Sequence, residues 1–203
     1  MHGGTIQDPS RLNQRAKDLL EEFRVAQVHL MITDTVALVQ SWHPPSSSSY
    51  KLNFDAAVFE DTRSSGFGAI IRNNRGEVMA TISAKGPAIG DSEEAEVLAC
   101  RRALEFAMDA GFEELVIEGD NAMVMKSISS LRALRIRLGN IYVDIHLLAT
   151  GSRCQSFGCV KHTVNTVAHS LACYVRLIDE DIFWMEESPP PAIEAFVFGL
   201  SFP

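Results

Sequence analysis

The chain is poor in several kinds of residue and pattern, and each shortage excludes something. Its 203 residues hold four cysteines, Cys100, Cys154, Cys159 and Cys173, and none is spaced from another as in a zinc knuckle. Reduced, structural thiols are therefore the expectation. No apolar run approaches the length of a membrane span, and no basic segment leading into an apolar stretch opens the sequence. These two absences argue for a soluble intracellular protein of the nucleus or cytoplasm, without a targeting signal and without membrane contact. Positive charge is scarce as well: 18 Lys and Arg against 26 Asp and Glu leave a net charge of −8, which weighs against a polyanionic partner. A phosphate-cradling loop is missing too, because Gly66 and Gly68 open a strand and not a helix.

The negative charge is unevenly spread. After Arg176 there is no Lys or Arg, while Asp179, Glu180, Asp181, Glu186, Glu187 and Glu194 crowd the last segment. Between Lys126 and Lys161 the balance reverses, with Arg132, Arg135, Arg137 and Arg153 set against the single acid Asp144. On one face these cations would neutralise several backbone phosphates; otherwise they form a solvated surface.

With 46% hydrophobic residues the chain can bury one substantial core, so one domain with extensions is expected. Residues 13–40 place Leu19, Leu20, Phe23, Ala26 and Leu30 at helical spacing, and the SWHPPSSSS that follows reads as a linker. The boundaries drawn are an N-terminal helix and Pro/Ser-rich linker over 1–45, a domain over 46–176, and an acidic, proline-containing tail over 177–203 whose aromatic residues have no clear period.

Inside the domain, Leu52, Phe54, Ala56 and Val58 alternate with Asn53, Asp55 and Ala57, a strand pattern. GFGAIIR and EVMATISAK supply two more strands, joined by the short turns DTRSSG and NNRG, so an antiparallel meander follows. A helix then starts at Asp91, with Glu94 three residues on, carries a stripe through Ala95, Leu98, Ala99, Ala103 and Phe106, and stops at Gly111. LVIEGD is a fourth strand reached by a helical crossover, which predicts parallel pairing with the first. Further along, IRLGNIYVDIHLLA predicts a helix, SRCQSFGCV a fifth strand, and the segment bearing His169 a last helix. The fold class is α/β: a five-stranded mixed sheet of order 3-2-1-4-5, its first three strands antiparallel, with helices on both faces.

This topology brings Asp55 and Asp120 to the carboxyl edge of neighbouring strands, where open α/β sheets place their sites, and Glu96 near the start of the helix can lean toward them. Each acid alone has an ordinary explanation: a helix cap for Asp120, a surface charge for Glu96, an edge-strand device for Asp55. Together they form a set of hard oxygen ligands suited to magnesium, and two such ions about 4 Å apart can clamp both oxygens of an in-line phosphoryl displacement.

The segments KLNFDAAVF, GFGAIIRNNRGEV, SEEAEVLACRRALEFAMDAGF, LVIEGDNAMVMKSI and NTVAHSLA resemble, in order and spacing, the RNase H domain of plant reverse-transcriptase-like proteins, which is related to the RNase H modules of non-LTR retroelements. The likeness runs from Trp42 to Tyr174. It implies an RNase H-like fold and a metal-dependent endonuclease that cuts the RNA strand of RNA:DNA hybrids with two Mg²⁺ ions, Mn²⁺ being a substitute. It also makes Asp55, Glu96 and Asp120 catalytic metal ligands and assigns the fourth ligand position to His169, where many relatives carry aspartate. Asn53, Arg72, Asn121, Lys126, Lys161 and His162 are the candidate nucleic-acid contacts. Two positions depart from the family pattern: Cys159 stands where a loop histidine is usual, and His162 where a basic residue is. These departures point to impaired catalysis, or to the alternative of a non-catalytic nucleic-acid-binding or interaction module descended from a retroelement. The chain is expected to act as a monomer and as a part of a larger retroelement-type polyprotein.

Overall fold

The computed structural model describes residues 42–46, 48–129, 138–187 and 189–190. The helical pattern over 13–40 and the cations Arg132, Arg135 and Arg137 lie outside the described residues.

Three strands form the expected meander: β1 Tyr50–Phe59, β2 Ser64–Arg72 and β3 Val78–Gly86. β1 and β2 pair antiparallel from Lys51 opposite Arg72 to Phe59 opposite Ser64, and β2 pairs antiparallel with β3. The following helix, α1 Ser92–Asp109, starts where Asp91 leaves the extended backbone and its carboxylate accepts the Glu93 amide at 3.0 Å. It ends at Gly111, whose φ of +80° lets the chain reverse while the Phe112 amide reaches back to the Ala107 carbonyl at 2.9 Å.

The crossover delivers β4 Leu115–Gly119 parallel to β1, with Tyr50 opposite Leu115 and Asn53 opposite Glu118. Then come α2 Ala122–Ser129, α3 Gly139–Gly151, β5 Ser156–Cys159 parallel to β4, and α4 Thr166–Tyr174. The fifth strand is shorter than SRCQSFGCV suggests. α3 runs on to Gly151, and the turn through Arg153, at φ 48°, takes the residues that would have begun the strand.

One strand was not anticipated. β6 Ile182–Met185, inside the expected tail, pairs antiparallel with β3, so the sheet has six strands in the order β5-β4-β1-β2-β3-β6. Its register is secured by Asp181, which accepts the Lys85 amide at 2.8 Å and pairs with Arg102 at 3.0 Å. Trp184 packs beside Ile70 and Ala168 on one face, and the Phe183 ring lies 5.8 Å from Phe106 on the other. With apolar side chains used on both faces, four residues show no polar alternation. At the other end of the domain the Lys51 ammonium donates to the His43 carbonyl at 2.7 Å and lies over the Trp42 ring.

The main core lies between the sheet and α1, α2 and α3, around Phe54, Leu52, Ile82, Leu104, Ile117 and Tyr142; α4 covers the other face. All four cysteines are free thiols, three of them buried. Among the described residues, no helix is long and apolar enough to cross a membrane. Trp184→Ala should cost about 2 kcal/mol of folding stability, less than the loss of a fully buried tryptophan, in a denaturant titration. An unchanged midpoint would mean that β6 adds nothing to the fold.

Candidate active site

Asp55 sits in β1 between Phe54, which points into the main core, and Ala56. It is 3% exposed, and its Oδ1 accepts the Ala56 amide at 2.9 Å. Asp120 follows the last residue of β4, on the neighbouring strand. It does not cap the helix that comes next, because Asn121 does so: the Asn121 side-chain oxygen accepts the Met123 and Val124 amides, each at 3.1 Å. Asp120 is thereby left to face Asp55. Glu96 is the fifth residue of α1 and is 8% exposed, on the buried face of the helix.

One oxygen from each of Asp55, Glu96 and Asp120 lies within 4.8 Å of the others, although the three residues come from the middle of β1, a helix and the residue after β4. Glu96 Oε2 is buried without a hydrogen-bond partner. An orphaned carboxylate oxygen beside two more acids is costly in a closed interior and fitting in a site that takes a cation. The donor set is all oxygen, which suits a hard divalent ion. Burial, and then the neighbouring Asp55, push the Glu96 carboxyl up to about 10. Asp120 is raised as well, by burial and then Asp55, against the lowering effect of His162.

His169 faces this group from α4, its Nδ1 donating to Asp55 Oδ2 at 2.8 Å and its Nε2 lying 3.5 Å from Cys173 Sγ. The Asp55 hydrogen bond, with a lesser part from Cys173, raises its imidazole to about 10 against the opposing effect of burial. The approach of α4 depends on Gly66 and Gly68 of β2. A Cβ on Gly68 would stand 2.2 Å from the Ala168 carbonyl and 2.4 Å from the Ala172 nitrogen, and one on Gly66 would stand 2.2 Å from the Ala172 carbonyl. Gly68 is the residue directly opposite Asp55, so the glycines let a helix backbone lie where His169 can reach. Asn165 fixes the start of α4: its Nδ2 donates to the Phe54 carbonyl at 2.8 Å, and its own carbonyl accepts the His169 amide. This positioning role was not anticipated, although the spacing of one helical turn before His169 was the available signal.

His162, in the short 3₁₀ turn His162–Val164 after β5, bonds Asp120 Oδ2 through Nδ1 at 2.7 Å, and its ring meets that of His169 edge to face with centroids 4.9 Å apart. Cys159 is buried, its Sγ 3.8 Å from the Asp120 carbonyl, and burial raises the thiol. His162, and not Cys159, is thus the loop residue that meets the carboxylates.

The candidate nucleic-acid contacts divide. Asn53 and Arg72 are 1% and 5% exposed and belong to an internal network: Asn53 donates to Glu118 Oε2 at 3.0 Å and accepts from Trp42 Nε1 and Arg72 Nη1. Burial lowers Arg72 to about 10, and its guanidinium stacks 5.1 Å from the Trp42 ring. The buried acid Glu118, paired with Lys51 at 2.7 Å, is the centre of that network. Asn121 is held as a cap, Lys126 is exposed on α2, and Lys161 is half-buried beside His162. Arg153 is paired with Glu113.

Gly68→Ala should separate α4 from β2 and destabilise the fold by about 3 kcal/mol, the upper range for overpacking, as measured by chemical denaturation. Glu96, Asp120 and His169 all hold protons to higher pH folded than unfolded, so the stability this gives is present at low pH and lost as pH rises toward 10. The melting temperature of protein kept in chelator should accordingly fall between about pH 6 and about pH 9. A rise over that interval would contradict the packing of charges described above.

Comparison with known proteins supports this architecture. The Reverse transcriptase-like family matches residues 53–175, and no curated protein matches the chain. Among solved structures, RNase H1 from the halophilic archaeon Halobacterium salinarum NRC-1 is similar at a TM-score of 0.57 and 24% identity, over 63% of this chain and 97% of that one. LC11-RNase H1, whose source is a compost metagenome, was solved with an RNA/DNA hybrid and is similar at 0.54 and 16%, over 62% and 94%. The protease-reverse transcriptase of prototype foamy virus is similar at 0.51 and 13%, over 72% of this chain and 23% of the viral one, so the shared fold is one part of that longer protein. The mixed sheet flanked by helices is the RNase H-like fold. With the match spanning more than half its length, the chain belongs to the Reverse transcriptase-like family.

Proposed function

We propose that this protein is an RNA:DNA hybrid endoribonuclease that hydrolyses the RNA backbone with two Mg²⁺ ions, Mn²⁺ serving in their place. The carrying observation is the trio of carboxylates, from β1, α1 and the end of β4, whose oxygens lie within 4.8 Å while one Glu96 oxygen has no partner. Asp55, Glu96 and Asp120 would hold the ions, with His169 beside them. Bound there, divalent ions supply the attacking nucleophile at neutral pH and stabilise the leaving oxygen.

The protein's own groups do the rest. His169 fixes the Asp55 carboxylate by its hydrogen bond, so that one ligand keeps its orientation without substrate. His162, with its side chain 56% exposed and tied to Asp120, stands at the mouth of the site and can hold or pass a proton at the leaving 3′ oxygen. This supports activity despite Cys159, whose buried thiol could not do so. The substrate class follows the relatives with the same fold that have been solved with RNA/DNA hybrids, LC11-RNase H1 and the foamy viral enzyme. Recognition would read helix shape and 2′-hydroxyls, through Asn121, Lys126, Lys161 and His162.

A second reading, a nucleic-acid-binding or interaction module without catalysis, is favoured by Cys159, which stands buried where the family pattern has a loop histidine. One assay separates the two. Asp120→Asn should lower Mg²⁺-dependent cleavage of a labelled hybrid by at least about a hundredfold, roughly 2.7 kcal/mol of barrier, while the circular dichroism spectrum is retained. Equal cutting by parent and variant would remove the metal-site reading, and salt-sensitive, metal-independent binding with no cutting by either would favour the second.

A further inference from the structure

A second group of ligands shares Asp55 with the carboxylate trio. Asp55, His162 and His169 offer ligand atoms that all lie within 4.8 Å of one another. This group differs from the first in chemistry, because two of its three donors are imidazole nitrogens. Mg²⁺ discriminates against such donors, whereas Zn²⁺ and its first-row neighbours favour them. The His162 ring is also braced as a metal-binding histidine is, one nitrogen engaged to set the orientation of the other. His162 Nδ1 is held by Asp120 Oδ2 at 2.7 Å, and among the described residues its Nε2 has no hydrogen-bond partner. His169 is held between Asp55 Oδ2 and the Cys173 thiol, and its ring stands edge to face on that of His162. The segment carrying His162 is anchored at both ends, by the Val160 amide on the Gly119 carbonyl and by Asn165 on the Phe54 carbonyl.

We infer that Asp55, His162 and His169 form a site for a zinc-class divalent cation, and that its occupancy opposes Mg²⁺ binding because it takes the Asp55 carboxylate and the place beside His169 that one of the two Mg²⁺ ions would use. The opposition rests on the reading of Asp55, Glu96 and Asp120 as the Mg²⁺ site; the nitrogen-bearing site does not. Its consequence is regulatory: zinc-class ions would act as antagonists of a magnesium-supported reaction in this chain, through the two histidines beside the acidic trio.

The test is calorimetric titration of the full chain with Zn²⁺, repeated with Co²⁺ so that visible absorption reports nitrogen ligation. The expected result is one strong site that His162→Ala and His169→Gln each weaken at least about tenfold, the low end of the loss on removing a group that merely orients a ligand. Glu96→Gln should leave Zn²⁺ affinity within about twofold, since that residue belongs only to the oxygen site. Thermal unfolding of each variant checks that the fold persists, and the exposed His162 is the safer of the two. Zn²⁺ affinity unmoved by His162→Ala, or lowered as much by Glu96→Gln as by the histidine variants, would overturn the site. Millimolar Mg²⁺ should weaken Zn²⁺ binding in the parent; no effect would overturn the antagonism. These outcomes are independent of hybrid cleavage, so histidine-dependent Zn²⁺ binding in a protein that cuts nothing would sink the proposed function and leave this site standing.

Discussion

The Asp55 carboxylate lies almost fully buried between the acids Glu96 and Asp120 and the His169 imidazole, and the placing of the surrounding elements follows from holding those groups together. Like charges this close in a poorly solvated pocket raise one another's pKa, as Glu96 and Asp120 show. Such a site persists only if the frame is over-determined. Here the frame is the parallel pairing of β1 with β4, which fixes two of the acids, and the packing of α1 on the sheet, which fixes the third.

The counterweight is α4. It brings the imidazole that meets Asp55 with opposite charge, and it is tied down on three strands: Asn165 on the Phe54 carbonyl of β1, the glycines of β2 beneath Ala168 and Ala172, and Ser83 of β3 donating to the Leu171 carbonyl at 2.8 Å. Gly66 and Gly68 carry no side chain into the site, yet they decide how near it His169 can come. A glycine pair that resembles a phosphate loop is thus a helix-packing surface.

Most of the sheet was legible because its signals are local. Alternation over nine or ten residues, short turns and one capped helix give the meander, the crossover and the parallel fourth strand, and these place Asp55 beside Asp120. What escaped was set by contacts distant in sequence. β6 is too short for a period and is made a strand by Asp181 and Trp184 meeting β3 and α4. Asn53 and Arg72 are polar and stand near Asp55, which reads as a binding surface until Asn53 is found bonded to Glu118, 65 residues away, and to Arg72. The choice between Asp120 and Asn121 as helix cap likewise depends on side-chain geometry that two adjacent N-cap residues leave open.

The two polar groups on this face of the sheet differ in a way that bears on function. Lys51 and Asn53 alternate with their neighbours on the same side of β1 as Asp55, and with Arg72 of β2 and Glu118 of β4 they are nearly as buried, but these four close on themselves: Glu118 accepts from Lys51 and Asn53, and Asn53 from Arg72 and Trp42. Cations balance the acid, and that cluster serves the fold. At Asp55 the balance reverses. Three acids meet one imidazole inside the domain and a second at its edge, and a buried carboxylate oxygen is left without a partner. A fold able to satisfy its buried charge at Glu118 has not done so at Asp55, two residues beyond Asn53 on β1, and what the second cluster lacks is positive charge, which a divalent cation would provide.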